Sequence, residues 1–497
     1  MANMFTNEAR MFKFDVLVEY ARQAFRGDVN DADVHAYARR LVSMDSPRVR
    51  CCVYKEREIL RQRVRLAGGH MANDVAQYNP RQIVQVIDAA CDGCTIHKIR
   101  VTDNCRKCMA KSCVAACHFD AMHIGTFRSE IDYDKCKECG ACVRACPYNA
   151  IVETERPCYA HCPVQAISWN ESHIAVIDEK RCINCGACES ACPFGAIEDI
   201  SWVVPVAQLL RMKTPCYAIV APSIQGQFDH ASLSQIMKAV EKIGFTKCYE
   251  VAVGADAVAD HEYEELKEHH EKGIPLTTSC CPGFVNMLRI HYPKVYQENT
   301  STTLSPMMAL AVKLKQDHPD HGIVFIGPCL AKKQEAMEDV SPVDYVLTFE
   351  ELAAMFVACH ILPHEMEVEE NPLASNYGRN FAHSGGVAAA VMQAAKEKGD
   401  TTVYKAVNAN GGKMCKTQLM LMQMGRFQGD ILEGMCCEGG CIGGPACIVD
   451  APTAQGRMAK ENIPNQSRTI EQSLDAYAFH AYDITAPKTE PAERKGE

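Results

Sequence analysis

The chain has 497 residues, 47% of them hydrophobic, 29 cysteines and a formal net charge of −10. That length leaves room for roughly three domains of ~100 to 200 residues with ordinary cores. The cysteines are therefore not needed as staples, and a secreted disulfide scaffold is excluded in favour of reduced thiolates that hold metal. The acidic balance disfavours nucleic acid as a partner. No stretch reaches the ~18 uninterrupted apolar residues of a membrane span, and Met1 to Arg10 lack the basic-then-apolar pattern of a secretory signal, so a cytoplasmic protein is expected.

Residues 1–90 carry no cluster motif and read as a helical N-terminal segment, with Phe14, Leu17, Val18 and Ala21 at helical spacing and a second periodic stretch from Val53 to Leu66. The basic run from Arg48 to Arg65 reads as one solvated helix face. Cysteines dominate residues 91–204, and the short pieces between them, Ala150 to Val152 and His173 to Asp178, fit the hairpins of α+β, ferredoxin-like modules in which metal replaces a core. From residue 205 to 485 strand and helix signals alternate, as in Cys216 to Ala221, Leu233 to Ile243, Gly322 to Ile326 and Val403 to Val407, the pattern of an α/β domain. Residues 486–497, with two prolines and mixed charge, read as a disordered tail.

Two runs, Cys136-x2-Cys139-x2-Cys142-x3-Cys146-Pro147 and Cys182-x2-Cys185-x2-Cys188-x3-Cys192-Pro193, match the bacterial [4Fe-4S] spacing, in which the fourth cysteine serves the other cluster of a pair. A zinc site stops at two pairs of ligands and is a poor rival. By the pairing rule Cys117 completes Cys136, Cys139 and Cys142, while Cys146 completes Cys105, Cys108 and Cys113. Cys162 completes Cys182, Cys185 and Cys188. Cys158 and Cys192 are then two ligands short, and Cys91 and Cys94 offer the missing pair, which predicts a fourth accessory cluster; the alternative is three clusters and four leftover thiols. The segment reads as an electron wire.

Three cysteine loops mark the C-terminal half: Thr278-Ser279-Cys280-Cys281-Pro282, Pro328-Cys329-Leu330-Ala331-Lys332, and Glu433 to Cys441 with Met435, Cys436 and Cys437. Apolar strand candidates end just before each one, so the loops converge beyond the carboxyl ends of strands, where open α/β sheets bind ligands. Residues 206 to about 465 resemble the catalytic domain of [FeFe]-hydrogenases, and the cysteine-rich segment resembles that family's accessory domains. The resemblance implies a two-lobed domain of mostly parallel sheets with the active site in the cleft. It also implies an H-cluster, in which a [4Fe-4S] cube shares a cysteine sulfur with a two-iron unit carrying CO, cyanide and a dithiolate amine.

Carried over by motif, the cube ligands are Cys281, Cys329, Cys437 and the bridging Cys441. Cys280 is the proton-relay thiol, able to give and accept a proton near neutrality with its ordinary pKa near 8.5. Lys332 donates to one cyanide, and Ala221, Pro222 and Ser223 serve the other; Met435 lines the pocket. Lys333 is expected to point outward or to pair with Glu335. Glu262, Glu265 and Ser301, or Thr300 in place of Ser301, continue the proton route. Gly327, Phe284 and Pro445-Ala446 depart from the best-known members and place the chain in a divergent branch. The implied activity is reversible interconversion of protons and electrons with H2, using a ferredoxin-type carrier and dedicated maturation factors. The alternatives are a non-enzymatic iron-sulfur carrier or assembly protein, a hydrogen sensor, and a subunit of a larger redox complex.

Overall fold

The structure, a computed structural model, describes residues 7–29, 46–48, 50–73, 82–339, 341–368, 374–462, 468–486 and 488. Most of the tail expected to be disordered lies outside them. Among the described residues no helix is long and apolar enough to cross a membrane.

The first helix, Glu8–Arg26, starts at Asn7, whose side chain accepts from Ala9 N at 2.8 Å, and stops at Gly27 with φ 83°. Its apolar stripe, Val16, Leu17, Tyr20, Ala21 and Ala24, is buried in the main core, together with residues of helices Val203–Arg211 and Phe349–Ala358. Helix Glu8–Arg26 is thus built into the main core of the α/β region. The second helix, Val53–Ala67, does not carry a purely solvated basic face: Arg63 is buried, with its Nε 2.6 Å from Glu198 Oε1.

The cysteine-rich region forms two nested modules of short antiparallel pairs. Strand β1, Val84–Val86, pairs with β8, Ile197–Asp199, and encloses everything between them. Inside lie β2, Ile99–Val101, paired with β5, Ile151–Glu153, and β3, Met122–Ile124, paired with β4, Ser129–Ile131. The pair β6, Ile167–Trp169, and β7, Ala175–Ile177, belongs to the outer module. The helical reading of residues 1–90 therefore fails at Val84–Val86, where the alternating Val-Gln-Val closes the second module's sheet; its partner lies more than a hundred residues downstream.

The α/β region holds two parallel sheets. One has the order β10-β9-β12-β13, from β9, Cys216–Val220, β10, Lys247–Glu250, β12, Gly322–Ile326, and β13, Tyr345–Leu347. The other has the order β11-β15-β14, from β11, Leu276–Thr277, β14, Ala406–Asn410, and β15, Ile431–Met435. The strand expected at Val403 to Val407 begins three residues later.

A buried ion network joins the three regions. Lys13 Nζ lies 2.7 Å from both Glu189 Oε1 and Asp199 Oδ1 and 3.0 Å from Glu350 Oε2. Lys333 Nζ lies 2.6 Å from Asp199 Oδ2 and 3.0 Å from Glu351 Oε1, and donates to Ile200 O at 2.7 Å. Burial works against the Asp199 carboxylate, but Lys13 and Lys333 hold its pKa well below the ordinary carboxylate range. Lys333 is thus fully buried and bound to the second module, contrary to the outward position expected; Lys332 is the one paired with Glu335, at 2.6 Å.

Candidate metal centre and proton route

Each cysteine loop leaves the carboxyl end of a parallel strand: the first follows β11, the second β12 and the third β15. Because β11 and β15 are neighbours, with Thr277 opposite Leu432, the first and third loops leave one sheet together, and the second reaches them from the other. Cys281 caps the helix Pro282–His291, whose proline at the first turn needs no hydrogen-bond partner. The third loop doubles back through glycines. A β-carbon on Gly443 would lie 2.0 Å from Glu438 O, and one on Gly440, at φ 89°, would lie 2.6 Å from Ser384 N.

The four thiols expected to hold the cube lie within electrostatic reach of one another. Cys437 interacts electrostatically with Cys329, Cys281 and Cys441, and burial pushes all but Cys281 upward, Cys329 to about 12. Cys281 is drawn down to about 6, first by a hydrogen bond from the Cys436 thiol and also by the N–H groups of Cys436 and Phe284. Four converging buried sulfurs suit a soft iron cluster that shares their charge. Lys332 is buried, acts electrostatically on Cys281, Cys329 and Cys441, and donates to Ser305 Oγ at 2.7 Å as well as to Glu335. Ser223 follows the strand-end residues Ala221 and Pro222 in a 3-10 turn, and its hydroxyl is fully buried with no partner among the described residues. Such an orphaned donor fits a polar ligand. Met435, at the end of β15, is 2% exposed.

The accessory sets also assemble. One cavity is ringed by Cys105, Cys108, Cys113 and Cys146, another by Cys117, Cys136, Cys139 and Cys142, and a third by Cys162, Cys182, Cys185 and Cys188. Cys158 is pushed up to about 11 by burial and then by Cys192, Cys91 and Cys94, so the fourth set is one neighbourhood as well. The last cysteine of every run accepts from the backbone N–H four residues on: Ala121 to Cys117 at 3.3 Å, Ala150 to Cys146 at 3.4 Å, Ala166 to Cys162 at 3.2 Å and Ala196 to Cys192 at 3.3 Å. The shortened Cys158–Cys162 run shares that geometry with the regular ones. The third set abuts the catalytic loops, since a β-carbon on Gly283 would lie 3.6 Å from Cys185 Cβ.

Cys280 is buried, and burial, followed by Glu262, Cys281 and Glu433, raises its pKa well above the ordinary thiol value. That shift favours the neutral thiol. Glu262 is no part of a solvated face: it is fully buried, its Oε1 accepts from Ser279 N at 2.9 Å and Ser279 Oγ at 3.1 Å, and burial pushes it up to about 8. Its Oε2 has no partner among the described residues.

The hydroxyls beside the two acids are not the expected ones. Ser279 serves Glu262. Thr302 N and Thr303 Oγ1 donate to Glu265, at 2.9 and 3.3 Å, and His261 Nδ1 lies 2.7 Å from Thr303 Oγ1. Ser301 Oγ instead accepts from Thr303 N at 3.1 Å, and Thr300 Oγ1 accepts from Thr277 at 3.1 Å. The turn after the Thr277–Thr300 bridge points Thr302 and Thr303 toward the acids. Glu433, missed in the sequence, accepts from Gly385 N and Ala388 N at 2.6 and 2.8 Å and is pushed to about 7 by burial. Its only signal was a carboxylate inside an otherwise apolar strand.

The chain resembles known proteins over the same regions. It is 28% identical to iron hydrogenase 1 of Clostridium pasteurianum over 63% of this chain, and spans 64% of that protein, under two thirds of its length. It is 29% identical to the periplasmic [Fe] hydrogenase large subunit of Nitratidesulfovibrio vulgaris, over 63% of this chain and 85% of that protein. A probable cytosolic Fe-S cluster assembly factor of Anopheles gambiae is 25% identical over 42% of this chain and 56% of its own length. A solved structure of [FeFe]-hydrogenase HydA1 from Chlamydomonas reinhardtii superposes with a TM-score of 0.46 and 22% identity, over 56% of this chain and 94% of that one. Family models for 4Fe-4S binding domains match residues 102–120, 129–152 and 175–198. The family model for the iron only hydrogenase large subunit, C-terminal domain, matches residues 214–445, so this region is a domain of that family's type.

Proposed function

We propose that this protein is a hydrogenase that interconverts protons and electrons with H2 at an H-cluster. Cys281, Cys329, Cys437 and Cys441 would hold the cube, with Cys441 bridging to the two-iron unit. When bound, that unit supplies the open metal site and the basic amine at which H2 is made or split. The observation that carries the reading is Cys280, a buried thiol beside ligand Cys281 with the buried Glu262 behind it.

The chain's own residues divide the work. Cys280 holds a proton at its sulfur, and Glu262, bound to the neighbouring Ser279, replenishes it. Glu265, with Thr302, Thr303 and His261, continues the route toward the half-buried rim of the domain. Buried Lys332 places positive charge beside the sulfurs and suits an anionic ligand. The Ser223 hydroxyl and the Ala221–Pro222 backbone suit the second one. Clusters held by the accessory cysteines would supply electron transfer, and the set that includes Cys185 lies next to the first catalytic loop. A ferredoxin-type protein is the carrier this wire suits, and maturation factors supply the two-iron unit.

The test is Cys280→Ala in matured protein, which is expected to retain its iron and lose nearly all H2 turnover; normal turnover would refute the relay. An iron-sulfur carrier is the second reading, favoured by the similarity to an assembly factor.

A further inference from the structure

The run Cys105-x2-Cys108-x4-Cys113-x3-Cys117 has two residues more between its second and third cysteines than the regular runs, and the longer loop carries Arg106, Lys107, Met109 and Lys111, all exposed. From Asn104 to Phe119 these three cations meet no acid, in a chain whose net charge is −10. Arg106 and Lys111 line the cavity ringed by Cys105, Cys108, Cys113 and Cys146, and among the described residues neither has an ion pair. The acid just before the loop, Asp103, is taken by Arg128 at 2.7 Å. Lys107 Nζ donates to Thr126 O at 3.0 Å and ties the loop to the turn between β3 and β4. That turn presents Phe127, 89% exposed, near Met109, 97% exposed, and Tyr148 on the cavity wall is exposed as well.

An apolar centre inside a charged rim is the anatomy of a protein interface, and methionine adapts its shape to whatever it meets. The other cysteine rings differ. Asp92 stands between Cys91 and Cys94, and at the Cys136 ring Lys137 is followed by Glu138, which accepts from Lys98 N at 2.8 Å. The stretch from Cys182 to Cys188 carries no charge, and its Gly186 packs on Pro445 and Leu330. The unmixed basic rim thus belongs to one ring. A negative partner is repelled by the chain as a whole and drawn to this loop, since opposite charges steer an encounter over about 10 Å at 0.1 M salt.

We propose that this loop, with Arg106 and Lys111 as its charged rim and Met109, Phe127 and Tyr148 at its centre, is the docking surface for a small acidic electron-carrier protein. The proposal rests on the reading of the accessory thiols as electron-transfer sites. Docking brings the carrier's own redox centre beside the Cys105 ring, where the carrier gives up one electron and the centre held by those thiols gains it; no bond forms or breaks. Three cations and three apolar side chains suit the small, short-lived interface of a redox encounter, below about 1,200 Å².

The test titrates the full-length holoprotein calorimetrically with an acidic bacterial ferredoxin at low and at high salt. Wild type is expected to bind at low salt and to weaken as salt rises. The double variant Arg106→Glu/Lys111→Glu is expected to lose about ten-fold or more in affinity at low salt and to show a flatter salt dependence. Lys242→Glu, which changes an exposed charge on the distant helix Leu233–Ile243, should alter neither. Iron content equal to wild type in the double variant shows that docking was lost and not a cluster. Unchanged affinity in the double variant overturns the proposal, and so does loss of iron, which would make the two cations supports of the ring. Self-association that the double variant abolishes, with no binding of ferredoxin, makes a second copy of this acidic chain the occupant and overturns it too. Because binding is read without H2, wild type that binds ferredoxin through this loop but turns over no H2 supports the docking surface and refutes only the hydrogenase reading.

Discussion

A β-carbon added to Gly186 would fall 2.6 Å from Cγ of Pro445, and 2.9 Å from Cδ1 of Leu330. The loop that carries Cys185 therefore rests directly on the second and third catalytic loops. Asn184 Nδ2 and Asn286 Nδ2 tie the same seam by donating to Gln334 Oε1, at 2.7 and 3.0 Å. Pro445, a departure from the family pattern, supplies the third loop's side of that contact.

Gly186 also has φ +75°, so any side chain there meets both backbone strain and a collision. Gly186→Val is expected to cost at least 1–3 kcal/mol and to wedge the seam open. Iron content should stay near wild type while reduction of the catalytic centre through the wire slows. Stopped-flow reduction compared with thermal denaturation checks this; unaltered transfer kinetics would show that the contact does not govern the crossing.

Lys13→Met should be strongly destabilising, because Glu189, Asp199 and Glu350 would keep their buried charges without a common partner. Removing one member of a buried ion pair typically costs about 3–5 kcal/mol. The melting temperature should fall, and limited proteolysis should release helix Glu8–Arg26 first. A melting temperature equal to wild type would show that the helix is held by its apolar stripe alone.

Much of this molecule was readable before any coordinates. Cysteine spacing grouped the accessory thiols that the fold brings together, because each run is a local turn whose fourth sulfur meets an N–H four residues on. The three catalytic loops were legible because each follows a short apolar strand. What stayed hidden depends on contacts distant in the chain. Lys13 looks like any lysine on an amphipathic helix; its partners lie 176 to 337 residues away and are ordinary acids in sequence. Val84–Val86 is too short to announce itself without β8. The hydroxyls beside Glu262 and Glu265 depend on how the turn after Thr300 is set, which no spacing rule specifies. Lys332 and Lys333 are adjacent and chemically identical, and only the packing of helix Ala331–Ala336 sets one near Cys281, Cys329 and Cys441 and the other on Asp199.

Glu262→Gln should keep the clusters and lower H2 turnover by roughly 10²-fold or more, the usual contribution of a positioned acid–base group. Stability should respond in the opposite sense. An acid whose pKa rises from 4.5 to about 8 on folding destabilises the native state progressively as pH climbs through that window. The glutamine variant should therefore gain on wild type between pH 5 and 8, by up to about 1.4 kcal/mol per pH unit. Melting temperatures of both proteins across that range measure it, and parallel curves would contradict the buried, protonated carboxyl.

Cys158→Ser should remove one accessory cluster and about four irons, leaving the sets around Cys113, Cys142 and Cys188 intact. Iron quantification with low-temperature EPR of the reduced protein reads the loss. Full iron retention would mean that Cys91, Cys94, Cys158 and Cys192 hold no cluster.

The central claim is that the four catalytic thiols, Lys332 and Ser223 hold a complete H-cluster. Infrared spectroscopy of the full-length protein after maturation, with and without H2, tests it most directly. The expected result is a set of CO and cyanide bands that shifts under H2. Matured protein that holds its iron-sulfur clusters but shows no such bands would contradict the claim and leave an iron-sulfur carrier.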